Sequence, residues 1–167
     1  NYGAYGVAAS YNDAVGESAA FRLFAAKRKR DGYLDVTTGA GPRTLSEDQD
    51  QDFHTFRAQL LFEPSESVDV LLSGDFSERD ENCCAAVTLV RGPTAAIIDA
   101  LSPDSGVIPV ADPFARQAFT NRSTAQFIED RGVSMQVDWD TPWLGGASFT
   151  SITALRRWES SNGLDFD

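Results

Sequence analysis

The chain has 167 residues, and its 14 Lys plus Arg against 25 Asp plus Glu give a formal net charge of −11. This length suits one domain, and the acidic balance predicts no nucleic-acid partner, because neutralising phosphates requires clustered positive charge. Hydrophobic residues make up 42% of the chain, which excludes wholesale disorder. No apolar run approaches the roughly 18 residues that a membrane-spanning helix needs.

Alternating side chains predict six β-strands, which the connections group into three pairs. The strands are expected at residues 5–12 and 19–30, at 55–62 and 68–77, and at 133–139 and 147–158. Short turns join the two strands of each pair, whereas long polar segments, at roughly residues 31–52 and 80–131, separate the pairs. The second long segment is expected to hold a short helix near residues 94–101. The two faces of the last strand cannot be assigned from its sequence.

The alternation of short and long connections places all short turns on one rim of an up-and-down antiparallel sheet. Short turns on one rim, long loops on the other and strands of about 9 to 11 residues are typical of outer-membrane β-barrels. The predicted fold class is therefore all-β, with antiparallel up-and-down strands that form part of a transmembrane β-barrel and carry two long extracellular loops.

Aromatic and basic side chains at the strand ends agree with this expectation. Four aromatic residues share the apolar parity of their strands and lie beside short turns, as an interfacial girdle would: Tyr11, Phe21, Phe62 and Trp139. Lys27 and Lys29 continue the apolar parity of the second strand toward a long loop. They would either meet lipid phosphates there or form a solvated strand end.

A soluble β-sandwich that binds a ligand is the alternative, since its strands also alternate, with one face buried. Such a sandwich needs turn signals about every 8 to 12 residues. The two long loops break that rhythm, so the pattern favours the barrel.

Several motifs, taken in chain order, carry a family resemblance across most of the chain outside the second long loop. They are Ala20-Phe21-Arg22-Leu23 with Arg30-Asp31-Gly32-Tyr33, Phe56 to Ser65, Asp75-Phe76-Ser77 with Asp80-Glu81-Asn82-Cys83-Cys84, Gly132 to Asp138, and Phe149 to Leu155. Together they resemble the β-barrel of TonB-dependent outer-membrane receptors. Members of that family also carry a plug domain, an energy-coupling box that engages TonB and a barrel of about 22 strands. The chain therefore resembles a barrel fragment without plug or TonB box.

The resemblance implies a receptor in the bacterial outer membrane that captures a scarce extracellular ligand, such as an iron–siderophore complex, and imports it when energised through TonB. Its expected partners are the TonB complex, reached through missing parts of the parent chain, the small-molecule ligand and outer-membrane lipid. Six strands cannot close a barrel, since the smallest single-chain barrels need about eight. The chain, which starts at Asn1 without Met or a signal peptide, is thus expected to be a piece of a longer protein.

The parity opposite the apolar side chains supplies the candidate ligand-binding residues, because the lumen wall of a barrel is polar. These residues are Arg22, Arg28, Arg30, Arg57, Gln59 and Asp75. They would contact an anionic chelate, or hydrogen-bond the plug or water. Phe24 is the exception to this parity.

The segment Asp48-Gln49-Asp50-Gln51-Asp52 has the alternate carboxylates that open a calcium loop. Phe53 stands where such a loop needs glycine, and Gln59 stands where it needs a bidentate Glu. A solvated acidic loop is therefore expected, and no metal site.

Cys83 and Cys84 are candidate disulfide cysteines. Adjacent Cα atoms lie about 3.8 Å apart, below the usual disulfide range, so a mutual bridge would be strained. Bridges to other cysteines of the parent protein are favoured over a vicinal pair or a metal site, since oxidising conditions are expected.

No enzyme and no cofactor are predicted. A surface hydrolase would have to recruit His54, the sole imidazole, and the chain has no Gly-x-Ser-x-Gly elbow.

Overall fold

The structure is a computed structural model that describes residues 2–39, 41–90, 92–101, 113–143 and 145–165. The described residues form an all-β fold apart from one short helix, α1 (Ala95–Leu101), and a 3-10 turn at Pro113–Ala115. Its strands are β1 (Tyr5–Ala14), β2 (Ala19–Arg30), β3 (Leu34–Thr37), β4 (Glu47–Asp48), β5 (Gln51–Ser65), β6 (Val68–Asn82), β7 (Gln117–Phe119), β8 (Ala125–Asp140) and β9 (Ser148–Asn162). Within the described ranges, no helix is long and apolar enough to cross a membrane.

The six long strands form one open antiparallel sheet in the order β1-β2-β5-β6-β8-β9. Long strands that follow each other along the chain are thus neighbours in space, which confirms the predicted up-and-down arrangement. The described short connections, residues 15–18, 66–67, 141–143 and 145–147, lie at one edge of the sheet, which we call the turn edge. The described parts of the long connections lie at the opposite edge, the loop edge; they are residues 31–39, 41–50, 83–90, 92–101 and 113–124.

The strands are longer than their alternation of apolar side chains predicts. The ladder between β6 and β8 continues from the pair Glu78 and Glu129 to the pair Asn82 and Ala125. Charged side chains interrupt the alternating apolar pattern there. The backbone ladder continues beyond them, because its hydrogen bonds do not require apolar side chains. The second long loop is therefore shorter than the predicted 80–131, and its middle, residues 102–112, lies outside the described residues. The predicted helix is confirmed.

The sheet has two unlike faces. Directly opposed residues of antiparallel strands share a face, so the register defines an apolar face, with Leu23, Ala58, Gly74, Val133 and Leu155 in one row across β2, β5, β6, β8 and β9. The other is the polar face. Among the described residues, no second layer packs on either face, and large apolar side chains such as Leu155 remain 76% exposed.

The buried core lies at the loop edge. β3 pairs with β4 and, in parallel, with β7, so the two long loops share a three-stranded sheet. Its core consists of Leu34, Val36, Ala85 and Ala118. We call this unit, residues 32–39 and 41–49 with 83–87 and 117–124, the loop cap. The sequence did not predict its strands.

A buried ion pair joins the parts of the loop cap. The Arg43 and Asp48 side chains, 2% and 0% exposed, form a salt bridge of 2.9 Å. The Asp48 carboxylate also accepts hydrogen bonds from the Thr124 hydroxyl and from the backbone N–H of Gln49 and Ala85. The expectation of a solvated acidic loop is therefore wrong for Asp48. Gly41 permits the close approach of the first long loop to Asn121 in the second, since a Cβ at Gly41 would overlap the backbone of Asn121.

Candidate functional site on the polar face

A groove of about 370 Å³ on the polar face brings together four of the six predicted ligand-binding residues. We call it the arginine groove. It is lined by Ser10, Arg22, Phe24, Thr55, Arg57, Gln59, Asp75 and Ser77. Strand register creates it, because Arg22 lies opposite Gln59, and Arg57 lies between Phe24 and Asp75 on its two neighbouring strands.

The other two predicted residues, Arg28 and Arg30, lie outside the arginine groove. They line a separate groove of about 410 Å³ near the loop edge, beside Tyr5 and Gln51. The Arg30 guanidinium donates a hydrogen bond of 2.5 Å to the Gln49 carbonyl and lies 5.1 Å from the centre of the Tyr33 ring. Arg30 therefore helps to hold the start of the first long loop against the sheet.

Asp75 is the centre of a charged network that extends across four strands. Arg156 on β9 donates two hydrogen bonds to its carboxylate, at 3.0 and 2.9 Å, and a third of 2.6 Å to Asp130. Arg57 approaches Asp75 from the other side at 3.7 Å. The carboxylate is thus shared between two guanidinium groups.

Arg156 and Asp130 are the members of the network that the sequence did not predict. Polar side chains occur on both parities of β9, so the local pattern does not show which face Arg156 occupies. The register with β8 decides it, since Arg156 lies opposite Gly132, which in turn lies opposite Asp75. Extending the fifth strand toward its N-terminus would have placed Asp130 on the polar parity.

Charge is divided unevenly over the polar face. Four arginines and no carboxylate occupy this face on residues 6–12, 20–30 and 51–61 of β1, β2 and β5. They are Arg22, Arg28, Arg30 and Arg57. The carboxylates of this face are concentrated on the next two strands, and they include Asp69, Asp75, Glu81, Asp130 and Asp138. The arginine groove spans the boundary between these two regions.

At the loop edge of the apolar face, Lys27 and Lys29 both bind the Asp52 carboxylate, Lys29 at 3.2 Å. Hydrogen bonding from Lys27 holds the pKa of the Asp52 carboxyl below its usual range. Nearby on the polar face, burial raises the pKa of Glu81. The two lysines therefore have a partner within the chain, which neither sequence interpretation foresaw.

Metal and redox chemistry have few candidate groups here. Among the described residues, no cluster of three or more His, Cys, Asp or Glu side chains is suited to hold a metal ion. Cys83 and Cys84 are joined to each other by a disulfide. The sequence interpretation had favoured bridges to other cysteines over this vicinal pair. His54 lies within β5, where its ring packs 5.8 Å from that of Phe76 on the apolar face.

Comparisons with family models, with curated proteins and with solved structures find no match to this chain. The resemblance to TonB-dependent receptors therefore stays a prediction from the sequence motifs.

Proposed function

We propose that this chain forms part of the wall of a transmembrane β-barrel in an outer-membrane receptor. Following the sequence resemblance, the receptor binds a scarce extracellular ligand, such as an iron–siderophore complex, and imports it with TonB-coupled energy. In this proposal the apolar face contacts lipid, the polar face lines the lumen and the loop edge is extracellular.

The height of the apolar face supports this assignment. On β6 the apolar side chains run from Val68 to Phe76, eight residue steps, or about 27 Å at roughly 3.4 Å per residue. At a strand tilt of about 40° this spans about 21 Å of bilayer, close to the apolar band of about 25 Å found in outer-membrane barrels. A row of charged side chains follows immediately toward the loop edge, including Lys27, Glu78 and Glu129.

Aromatic side chains border the band at the turn edge. The rings of Tyr11 and Phe21 lie 5.7 Å apart, and Trp139 lies 6.1 Å from Phe149 and 6.0 Å from Trp143. Clusters of Tyr and Trp at the end of the apolar band match the interfacial girdles of membrane barrels.

The two open edges also fit the proposal. Among the strands that the structure describes, β1 and β9 each have a neighbour on one side only. Unpaired strand edges aggregate in soluble proteins and are eliminated when a sheet closes into a barrel. Further strands of a longer chain would continue the ladder on both sides.

The single observation that carries the proposal is the uncovered apolar face. A soluble sandwich would need a second layer on this face, and the described residues provide none. Exposed apolar patches of such extent mark contact with lipid or protein.

Two adjacent positions of β6 test which face meets lipid. Spin labels at Leu72→Cys, on the apolar face, and Ser73→Cys, on the polar face, form a matched pair in the full-length protein in outer-membrane vesicles. The Leu72→Cys label should be accessible to oxygen and shielded from a water-soluble nickel chelate, and the Ser73→Cys label should show the reverse. The native cysteines, being bridged, leave the labelling specific.

The proposal fails if both labels are accessible to the nickel chelate, or if the protein is recovered in the soluble fraction as a detergent-free monomer.

A further inference from the structure

We propose that the arginine groove binds a small organic anion that carries a planar aromatic group. The inference rests on the proposed function, since it names the ligand class of that same polar wall.

The cations of the groove favour an anion because their charge is largely uncompensated. Arg22 is exposed, and within the described ranges its guanidinium group has no hydrogen-bond or ion-pair partner. Arg57 has one distant partner, Asp75 at 3.7 Å, and Asp75 is itself held by Arg156 at 2.9 Å. Two guanidinium groups are thus available on adjacent strands, and Arg is well suited to bidentate recognition of carboxylate or phosphate.

The positions of these two arginines suit a single oxyanion. Arg57 lies opposite Phe24, and Arg22 precedes Phe24 by two residues on the same face. Such diagonal neighbours on adjacent strands lie about 7 to 8 Å apart at their backbones, within reach of long side chains. Both guanidinium groups can therefore converge on one carboxylate or phosphate group.

Phe24 adds the aromatic preference. Its ring belongs to the lining of the groove, beside Arg57 on β5 and Ser10 on β1. The small side chain of Ser10 leaves space beside the ring, and the other polar-face positions of β1 from Gly6 to Ala8 are also small. An aromatic group of the ligand can stack on Phe24 while its acidic group binds the arginines.

Asp75 is the one carboxylate that lines the arginine groove, so its substitution tests the inference in the direction opposite to substitution of the arginines. Neutralising Arg22 or Arg57 should weaken anion binding, whereas neutralising Asp75 should strengthen it by removing repulsion and releasing Arg57. A structural role for these residues does not predict opposite signs within one groove.

The experiment titrates the full-length protein in neutral detergent with 2-naphthoate and, separately, with the uncharged 2-naphthamide, using isothermal calorimetry. Arg22→Gln and Arg57→Gln should each weaken naphthoate binding about tenfold, the scale of a charge-assisted hydrogen bond. Asp75→Asn should tighten it several-fold, and Phe24→Leu should weaken it about two- to tenfold. Arg131→Gln, on the apolar face, is the matched control and should leave the affinity unchanged.

The inference is overturned if wild-type protein does not bind naphthoate, if naphthamide binds as tightly, or if Arg22→Gln and Arg131→Gln behave alike. If Arg57→Gln fails to fold, the comparison of Arg22→Gln with Arg131→Gln tests the inference alone, because Arg22 is exposed. Outer-membrane fractionation of the same proteins separates the two proposals. If the protein is found in the outer-membrane fraction but does not bind naphthoate, only the proposed ligand class is contradicted. If the protein is found in the soluble fraction, the proposed function is contradicted.

Discussion

At the scale of single residues, Gly132 leaves the space that the Arg156 side chain occupies in the charged network. It lies between Asp75 and Arg156 in the same row of the polar face. A Cβ at this position would lie 3.2 Å from the Arg156 guanidinium carbon. The absent side chain lets Arg156 reach across β8 to a carboxylate two strands away.

We expect Gly132→Leu to displace Arg156 from Asp75. Since the Arg156 side chain is 48% exposed, the lost interaction should be small, about 0.2–1 kcal/mol. A double-mutant cycle in thermal unfolding measures it without the intrinsic effect of the new leucine: Arg156→Gln should cost less in the Gly132→Leu background than in wild type.

Gly74→Leu provides the control, because a Cβ at Gly74 meets its nearest neighbours only at 3.9 Å and points to the apolar face. The effects of Gly74→Leu and Arg156→Gln should be additive. An equal cost of Arg156→Gln in the wild-type and Gly132→Leu backgrounds would show that Gly132 plays no part in the network.

At the scale of secondary-structure elements, local pattern predicts the six-stranded sheet but not the loop cap. Apolar and polar side chains alternate in five of the six long strands, and the short turns identify the two strands of each pair as neighbours. The cap depends instead on pairing between Asp35 and Gln117, which are distant in sequence, through strands of only two to four residues. Such segments have no periodicity to detect.

Local pattern likewise predicts some residues of the candidate site but not others. Arg22, Arg57, Gln59 and Asp75 follow from alternation alone, and the structure brings them together. Arg156 depends on the register of β9, which is set by hydrogen bonding to β8 and not by its own sequence.

The buried ion pair predicts that the loop cap can be opened by one substitution. Asp48→Ala leaves the Arg43 guanidinium buried without its counter-charge, a change that costs about 3–5 kcal/mol. Hydrogen exchange should then accelerate at residues 32–39, 41–49 and 83–87, while the central amides of β5 and β6 stay protected. Asp35→Ala removes an exposed carboxylate from the same small sheet and should leave exchange unchanged. Uniform acceleration over the whole chain would instead show that the cap and the sheet open as one unit.

At the scale of the whole molecule, the sheet and the loop cap are stabilised by different means. The cap has its own core and satisfied buried charges, as a water-soluble unit does. The sheet lacks any covering layer among the described residues, so its apolar side chains are buried only in part, by their neighbours within the sheet: Leu60 and Leu72 remain 39% and 42% exposed. Its side chains leave water only if something outside the described residues covers them, and in the proposed barrel wall that covering is lipid.

This asymmetry predicts opposite responses to the same charge on the two faces. Leu72→Arg places a guanidinium in the middle of the apolar band, where a transmembrane barrel loses about 2–4 kcal/mol. Ser73→Arg, one residue further along β6, places it on the polar face beside Gln59 and Ser134, where water solvates it. The folded fraction recovered from outer membranes should therefore fall for Leu72→Arg and stay near wild type for Ser73→Arg. In a soluble protein whose polar face was the covered one, the order would reverse, so the comparison of these two neighbours identifies the face that leaves water.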